Sequence, residues 1–204
     1  FVLIGICGLI GSGKDTVAQN LIDNHNFVKI SFADKLKDAV ASMFSWDRDL
    51  LDGKTDKSRA WREQVDQYWT QETGREITPR LVLQEFGTEC MREGFYDGIW
   101  VSLTKKHIID NPNTHFVIPD VRFPNEAKML YEVGGQVWRV KRGQDPIWFR
   151  IYQDVGVEPK DVHASEWAWA HTKFTHTIDN NGTLLDLKSQ VQDHLVSSGN
   201  LLSA

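Results

Sequence analysis

Gly8-Leu9-Ile10-Gly11-Ser12-Gly13-Lys14-Asp15-Thr16 gathers three glycines, two hydroxyl side chains and a lysine within nine residues. Glycines let the backbone curl until successive N–H groups point at one anion, and a lysine directly after them reaches that anion's outer oxygens. The chemistry is phosphate binding. The strict pattern puts Ser or Thr directly after the lysine, whereas here Asp15 stands in that place and Thr16 follows. The alternative is a glycine-rich strand-to-helix turn with no ligand. A second constellation is Phe116-Val117-Ile118-Pro119-Asp120-Val121-Arg122, a hydrophobic run that ends in a carboxylate and a guanidinium. Asp120 suits a magnesium ion held through water, and Arg122 suits a phosphoryl group, whose oxygens a planar guanidinium can meet in pairs. Alternatively both residues cap a helix that Pro124 opens.

These side chains need elements to hold them. Val2 to Cys7 is apolar and too short for a helix, so it reads as a buried strand running into the glycine loop. Val17, Ala18, Leu21 and Ile22 fall on one helical face, and Asn24, His25 and Asn26 stop that helix before a second strand at Phe27 to Ser31. Helical spacing then dominates from about 34 to 107. Leu36, Ala39, Val40, Met43 and Phe44 form one stripe, Trp61, Val65, Tyr68 and Trp69 a second, and Leu81, Val82 and Phe86 a third after Thr78-Pro79. Strand and helix alternation resumes with Phe116-Val117-Ile118, a helix from Pro124 to Gly134-Gly135, and a strand from Gln136 to Lys141. A polar connection, a short Trp-rich helix near Ser165 to Ala170, a strand around Thr175 to Ile178 and a closing helix complete the chain. The architecture expected is α/β, with about five parallel strands and helices on both faces.

A net charge of -5 over 204 residues leaves no electrostatic footprint for polymeric nucleic acid. No apolar run approaches the roughly 20 residues that span a bilayer, so no membrane is expected. Phe1 to Ile10 lacks the cationic front and cleavage site of a secretion signal. Cys7 and Cys90 form no ligand or disulfide pattern, which implies a reducing compartment and no zinc. Most of the eight tryptophans read as core. Arg139 and Arg150 are left open between solvated side chains and anion ligands, and Arg80 and Arg142 are preferred to them. The Asn180-Asn181-Gly182-Thr183 turn is placed to line an adenine pocket. Either His163 and Glu166 touch substrate, or Ser165 and Glu166 start a helix with favourable dipole charge.

Gly11 to Thr16, Leu83-Gln84-Glu85-Phe86-Gly87-Thr88-Glu89, Pro119-Asp120-Val121-Arg122 and His163-Ala164-Ser165-Glu166, in that order, resemble the deoxynucleoside monophosphate kinases of tailed bacteriophages. The likeness runs from the first strand to the Asn180 turn. It implies a single P-loop kinase domain over 1–204, with a helical substrate-binding insertion at about 34–107 and a lid-like segment at about 143–162. It also implies transfer of a phosphoryl group from ATP to a deoxynucleoside monophosphate with magnesium, a homodimer, and the cytoplasm of an infected bacterium. By the same likeness, Asp34, Arg80 and Gln84 belong to the monophosphate site together with Arg122, His163 and Glu166. Gly8, Gly11, Ser12, Gly13, Lys14, Asp15, Thr16, Asn180 and Gly182 would then hold ATP, and Arg142 would face the phosphates. Thr16, Asp120 and Asp15 are the expected magnesium residues, with Asp15 placing the ion or orienting the acceptor.

The leading expectation is therefore in-line attack of a monophosphate oxygen on the γ-phosphorus, with Lys14, Asp15, Arg122 and Arg142 as the catalytic set. A second reading changes the acceptor to a phosphorylated metabolite of the dephospho-coenzyme A or phosphomevalonate kind. A third is a nucleotide-binding module without turnover. A guanine-reading Asn-Lys-x-Asp motif is absent, and Val121 rather than a glutamate follows Asp120, against a nucleotide switch and a motor ATPase respectively.

Overall fold

The computed structural model describes residues 1–199; the range expected for the domain runs on through 200–204, which lie outside the described residues. In chain order the elements are β1 (Leu3–Cys7), α1 (Lys14–His25), β2 (Phe27–Lys29), α2 (Asp34–Phe44), α3 (Arg48–Asp52), α4 (Asp56–Arg62), α5 (Gln67–Thr73) and α6 (Pro79–Glu85). A π-helical segment, Phe86–Glu93, continues α6. Then come α7 (Ile99–Asp110), β3 (His115–Ile118), α8 (Pro124–Glu132), β4 (Gln136–Lys141), α9 (Ile147–Val155), a 3-10 turn (Ala164–Glu166), β5 (His176–Asp179) and α10 (Leu184–Ser197). The chain divides into two compact units, residues 1–31 with 105 onward, and residues 32–104.

The first unit holds one parallel sheet in the order β2-β3-β1-β4-β5. The buried strand read from Val2 to Cys7 is its centre, and all five residues of β1 are buried. Burial on both faces is why that strand is a continuous apolar run rather than an alternation. Register places Gly5 beside Ile118 of β3 and Cys7 beside Arg139 of β4. The segments leaving the carboxyl ends of β1, β3 and β4 therefore emerge at one edge of the sheet, where open α/β sheets bind ligands. On one face Ile4, Ile6, Val17, Leu21, Trp138, Val140, Leu187 and Val191 form a single buried cluster. α1 and α10 cover that face. α8 covers the other so closely that a Cβ at Gly5 would lie 2.3 Å from Leu130 Cδ1. α1 ends as its Asn stop predicts, with Asn26 in the left-handed region at φ 58°. Thr183 opens α10 through a capping box with Asp186.

The second unit is helical. Four aromatic rings, Phe44, Trp46, Trp61 and Trp69, pack on one another there with centroids 4.6 to 5.8 Å apart. Arg48 pairs with Asp38 and Asp52, each at 2.7 Å, and Lys37 meets Asp52 at 3.1 Å. Burial pushes the Asp52 carboxyl up, but the hydrogen bonds and charges of Arg48 and Lys37 outweigh it and hold the group at about 2.

Three expectations need correction. The Trp61-to-Trp69 stripe is two helices, because the Asp66 side chain accepts the Trp69 N–H and opens α5. Local capping outweighs the apolar periodicity. The polar connection contains α9, preceded by Pro146, closed by Gly156 at φ 76° and anchored by buried Phe149. The Trp-rich helix near Ser165 shrinks to one 3-10 turn, since Trp167 leaves helical geometry at φ -137° while its indole N–H donates to the Val162 carbonyl.

Candidate active site

The glycine loop leaves β1 and turns tightly, with the Ser12 N–H donating to the Leu9 carbonyl at 3.1 Å. Two of its glycines are required by space. A Cβ at Gly8 would lie 2.5 Å from Ser12 Oγ and 2.7 Å from the Val140 carbonyl oxygen. Gly13 sits at φ 101° as the N-cap of α1, and a Cβ there would meet the Asn180 amide at 2.3 Å. The α1 N-terminus thus opens from the loop with its first N–H groups free to face an anion. Lys14 Nζ donates to the carbonyls of Gly8 and Leu9 at 2.8 and 3.3 Å, which lays its ammonium across the loop. Ser12 Oγ is buried with no hydrogen-bond partner. An orphaned hydroxyl in a glycine loop at a helix N-terminus is what a phosphate oxygen would satisfy.

The adjoining cavity is about 340 Å³ and lies against Leu9, Ile10, Ser12, Lys141, Arg142 and Trp148. Its walls combine cationic and apolar side chains. Arg142 is exposed there, and Glu166 lines the same space. Asp15, Thr16 and Asp120 are exposed oxygen donors around the loop and the end of β3. Among the described residues no cluster of three or more His, Cys, Asp and Glu side chains exists. A few hard oxygen donors beside a phosphate loop fit magnesium, which keeps most of its water and binds through one or two carboxylates plus phosphate.

Arg122 is held rather than free. Its Nε donates to Asp120 Oδ2 at 2.6 Å, its Nη2 lies 2.5 Å from the same oxygen, and its Nη1 donates to Ser165 Oγ at 3.3 Å. Burial works against its charge, but the Asp120 bond and charge, with Glu166 and Glu126 behind them, keep the guanidinium protonated. The alternative that the Asp120 and Arg122 side chains cap α8 is not what the structure holds. Glu126 does that, accepting the backbone N–H groups of Arg122 and Phe123 at 2.7 and 3.1 Å. The sequence signal was available, a glutamate three residues into a helix opened by proline.

Burial raises the Glu126 carboxyl to about 7, against the two backbone donors, and Asp120 adds to the rise. A folded-state value above the unfolded one favours folding below the unfolded pKa and loses that advantage as pH climbs through the folded value. Glu126→Gln, which keeps a capping oxygen, is expected to exceed the wild type in unfolding free energy by about 2 kcal/mol at pH 8, with the gap closing toward pH 5. Denaturant titrations at the two pH values measure this. An equal gap at both would contradict it.

Several expected residues take other partners. Asn180 Nδ2 donates to the Ser12 carbonyl at 2.9 Å, so its amide braces the glycine loop, and the next residue, Asn181, accepts the Gly143 N–H at 2.7 Å. Gly182 lies at the start of α10, where a Cβ would meet Asp186. His163 Nδ1 accepts the Ser165 N–H and stands 2.8 Å from Ser165 Oγ. Asp34, Arg80 and Gln84 lie in the helical unit. There Asp34 pairs with Arg48 at 3.4 Å and Arg80 with Glu63 at 2.5 Å, so these two engage different partners. Gln84 is exposed one turn beyond Arg80 on α6. The partners of Ser165 and Arg139 are not legible in the sequence: Ser165, expected only at a helix start, accepts from Arg122. Arg139 is 8% exposed and bonds Asp145 at 2.7 Å rather than water.

Residues 50–191 match the family model described as deoxynucleotide monophosphate kinase. A protein of Acanthamoeba polyphaga mimivirus that bears the name deoxynucleotide monophosphate kinase is 32% identical over 93% of this chain and 94% of its own length. The deoxynucleoside-5'-monophosphate kinase of Escherichia phage T5 is 27% identical over 64% of this chain and 72% of its own. Among solved structures, dephospho-CoA kinase from Campylobacter jejuni aligns with a TM-score of 0.48 and 18% identity over 98% of each chain.

Proposed function

The chain belongs to the deoxynucleotide monophosphate kinase family, and we propose that it transfers the γ-phosphoryl group of ATP to a deoxynucleoside 5'-monophosphate, for DNA precursor supply. One observation carries the ATP half of the reading. The loop at the end of the central strand holds a buried Ser12 hydroxyl with no partner and carries the Lys14 ammonium on its own Gly8 and Leu9 carbonyls, and it runs straight into the N-terminus of α1. The names of the two relatives support the acceptor half.

An acceptor phosphate oxygen attacks the γ-phosphorus in line, the bond to the β–γ bridging oxygen breaks, and ADP leaves. That oxygen is already anionic near neutral pH, so no strong general base is needed. Lys14 follows the outer phosphates, and the guanidinium groups of Arg122 and Arg142 balance the charge spread over the transferring oxygens. Gln144, Trp148 and Val162, from the segment 143–162, line the cavity and would exclude water that otherwise hydrolyses ATP. Asp34, Arg80 and Gln84 would bind the acceptor. Thr16, Asp120 through water, and Asp15 would hold magnesium, which would supply charge neutralisation for the phosphates.

Following label from γ-labelled ATP tests the proposal directly: it is expected to appear in a deoxynucleoside diphosphate, and release only as free phosphate would contradict it. Asp15 gives a narrower test. A carboxylate beside reacting phosphates repels them unless a cation or substrate hydroxyl bridges the two. Asp15→Asn is expected to slow turnover about tenfold and to raise the magnesium needed for half-maximal rate. Full turnover with an unchanged magnesium profile would remove Asp15 from the site.

A further inference from the structure

We propose that Ser165, its hydroxyl oriented by His163, is a positioning residue that fixes the Arg122 guanidinium for phosphoryl transfer. The inference rests on the reading of Arg122 given above. Asp120 grips the guanidinium by one edge, through Nε and Nη2. One carboxylate oxygen gripping one edge leaves the plane free to swing about that contact. Ser165 Oγ takes Nη1 at 3.3 Å and supplies the second point of attachment. A guanidinium has five N–H bonds. Asp120 and Ser165 use three, which leaves one on each terminal nitrogen, the pair that meets two oxygens of a phosphoryl group.

The hydroxyl can only accept from Arg122 if its own proton is directed elsewhere. Ser165 is buried, at 8% exposure, so water does not set that direction. His163 sets it. Nδ1 of His163 accepts the backbone N–H of Ser165 at 3.2 Å, which requires an unprotonated Nδ1, and that same nitrogen stands 2.8 Å from Ser165 Oγ. The hydroxyl therefore donates to His163 and presents its lone pairs to Arg122. His163-Ala164-Ser165-Glu166 then works as one device: histidine orients serine, serine orients arginine, and Glu166 adds negative charge near the guanidinium. The segment acts on the arginine across 43 residues of sequence, which is why the motif alone does not disclose it.

The test is a steady-state comparison of Ser165→Ala, Ser165→Thr, His163→Ala, Arg122→Ala and the Ser165→Ala/Arg122→Ala double variant. ATP is varied against an accepted deoxynucleoside monophosphate, and melting temperature is followed in parallel. Ser165→Ala is expected to lower kcat about tenfold with KM for ATP little changed and melting near wild type, because a loosened group costs alignment rather than binding. Ser165→Thr, which keeps the hydroxyl, is expected to restore most of the rate, and His163→Ala to fall between the two. The double variant is expected to be no slower than Arg122→Ala, since the serine acts only through the arginine. A wild-type rate in Ser165→Ala alongside a collapsed Arg122→Ala, or a double variant slower than Arg122→Ala, would overturn the inference while leaving the kinase reading intact. A wild-type rate in Arg122→Ala would instead remove the reading of Arg122 and the inference with it.

Discussion

Lys14→Ala is expected to fold as the wild type does and to lose phosphoryl transfer by roughly 10³-fold, as when one preorganised charge-stabilising donor is removed. The fold should survive because the bonds that Lys14 makes go to two carbonyls of its own loop, and the loop is separately fixed by the Ser12-to-Leu9 turn and the Asn180 amide. Activity should not survive, because on the proposed reading the lysine is the cation that reaches the outer phosphates from within the loop. Circular dichroism with thermal melting checks the first half and a transfer assay the second. A folded variant with full transfer would contradict the whole assignment of the loop.

Arg139→Ala is expected to cost stability, about 3–5 kcal/mol, which is the usual loss when one partner of a buried ion pair is removed. Arg139 and Asp145 are nearly closed off from solvent, with side chains 10% and 8% exposed and 2.7 Å between them. The guanidinium carbon also sits 5.2 Å and 5.6 Å from the ring centroids of Phe149 and Trp169. Losing the arginine strands a buried carboxylate, with Lys141 at 3.5 Å as a remaining cation, and opens space under α9. Urea unfolding measures the loss, and Arg139→Met with Asp145→Asn should recover at least half of it by removing the stranded charge. A loss below about 1 kcal/mol would mean that the pair behaves as a surface one.

What could be read beforehand divides along physical lines. β1, the glycine loop and α1 were legible because each rests on local chemistry: a run of apolar residues, glycines at fixed spacing, an asparagine stop. The order of the sheet strands was not, since pairing β1 with both β3 and β4 depends on contacts more than a hundred residues apart. α9 went unseen because buried Phe149 is its anchor while Ile147, Ile151 and Val155 face outward. Its Pro146 and Gly156 boundaries were in the sequence, and Trp148, Phe149 and Tyr152 give it an inward face at helical spacing, but exposed Ile147, Ile151 and Val155 spread its apolar residues over both faces. The burial of Arg139 was not legible either. Its partner Asp145 follows six residues later beyond a glycine, a separation at which neither helix nor strand periodicity pairs side chains. Asn180 is legible as a polar turn residue at the ligand edge, yet its bond to Ser12 spans 168 residues and exists only once the sheet is assembled.

The most direct test of the central claim is ADP release coupled to an optical readout. ATP and magnesium would be supplied with a panel of deoxynucleoside and ribonucleoside monophosphates, and with dephospho-coenzyme A and phosphomevalonate as further acceptors. Release that depends on some deoxynucleoside monophosphates, and is absent with the two metabolites, is the predicted result. ATP binding without release for any monophosphate, or release with one of the metabolites alone, would contradict it.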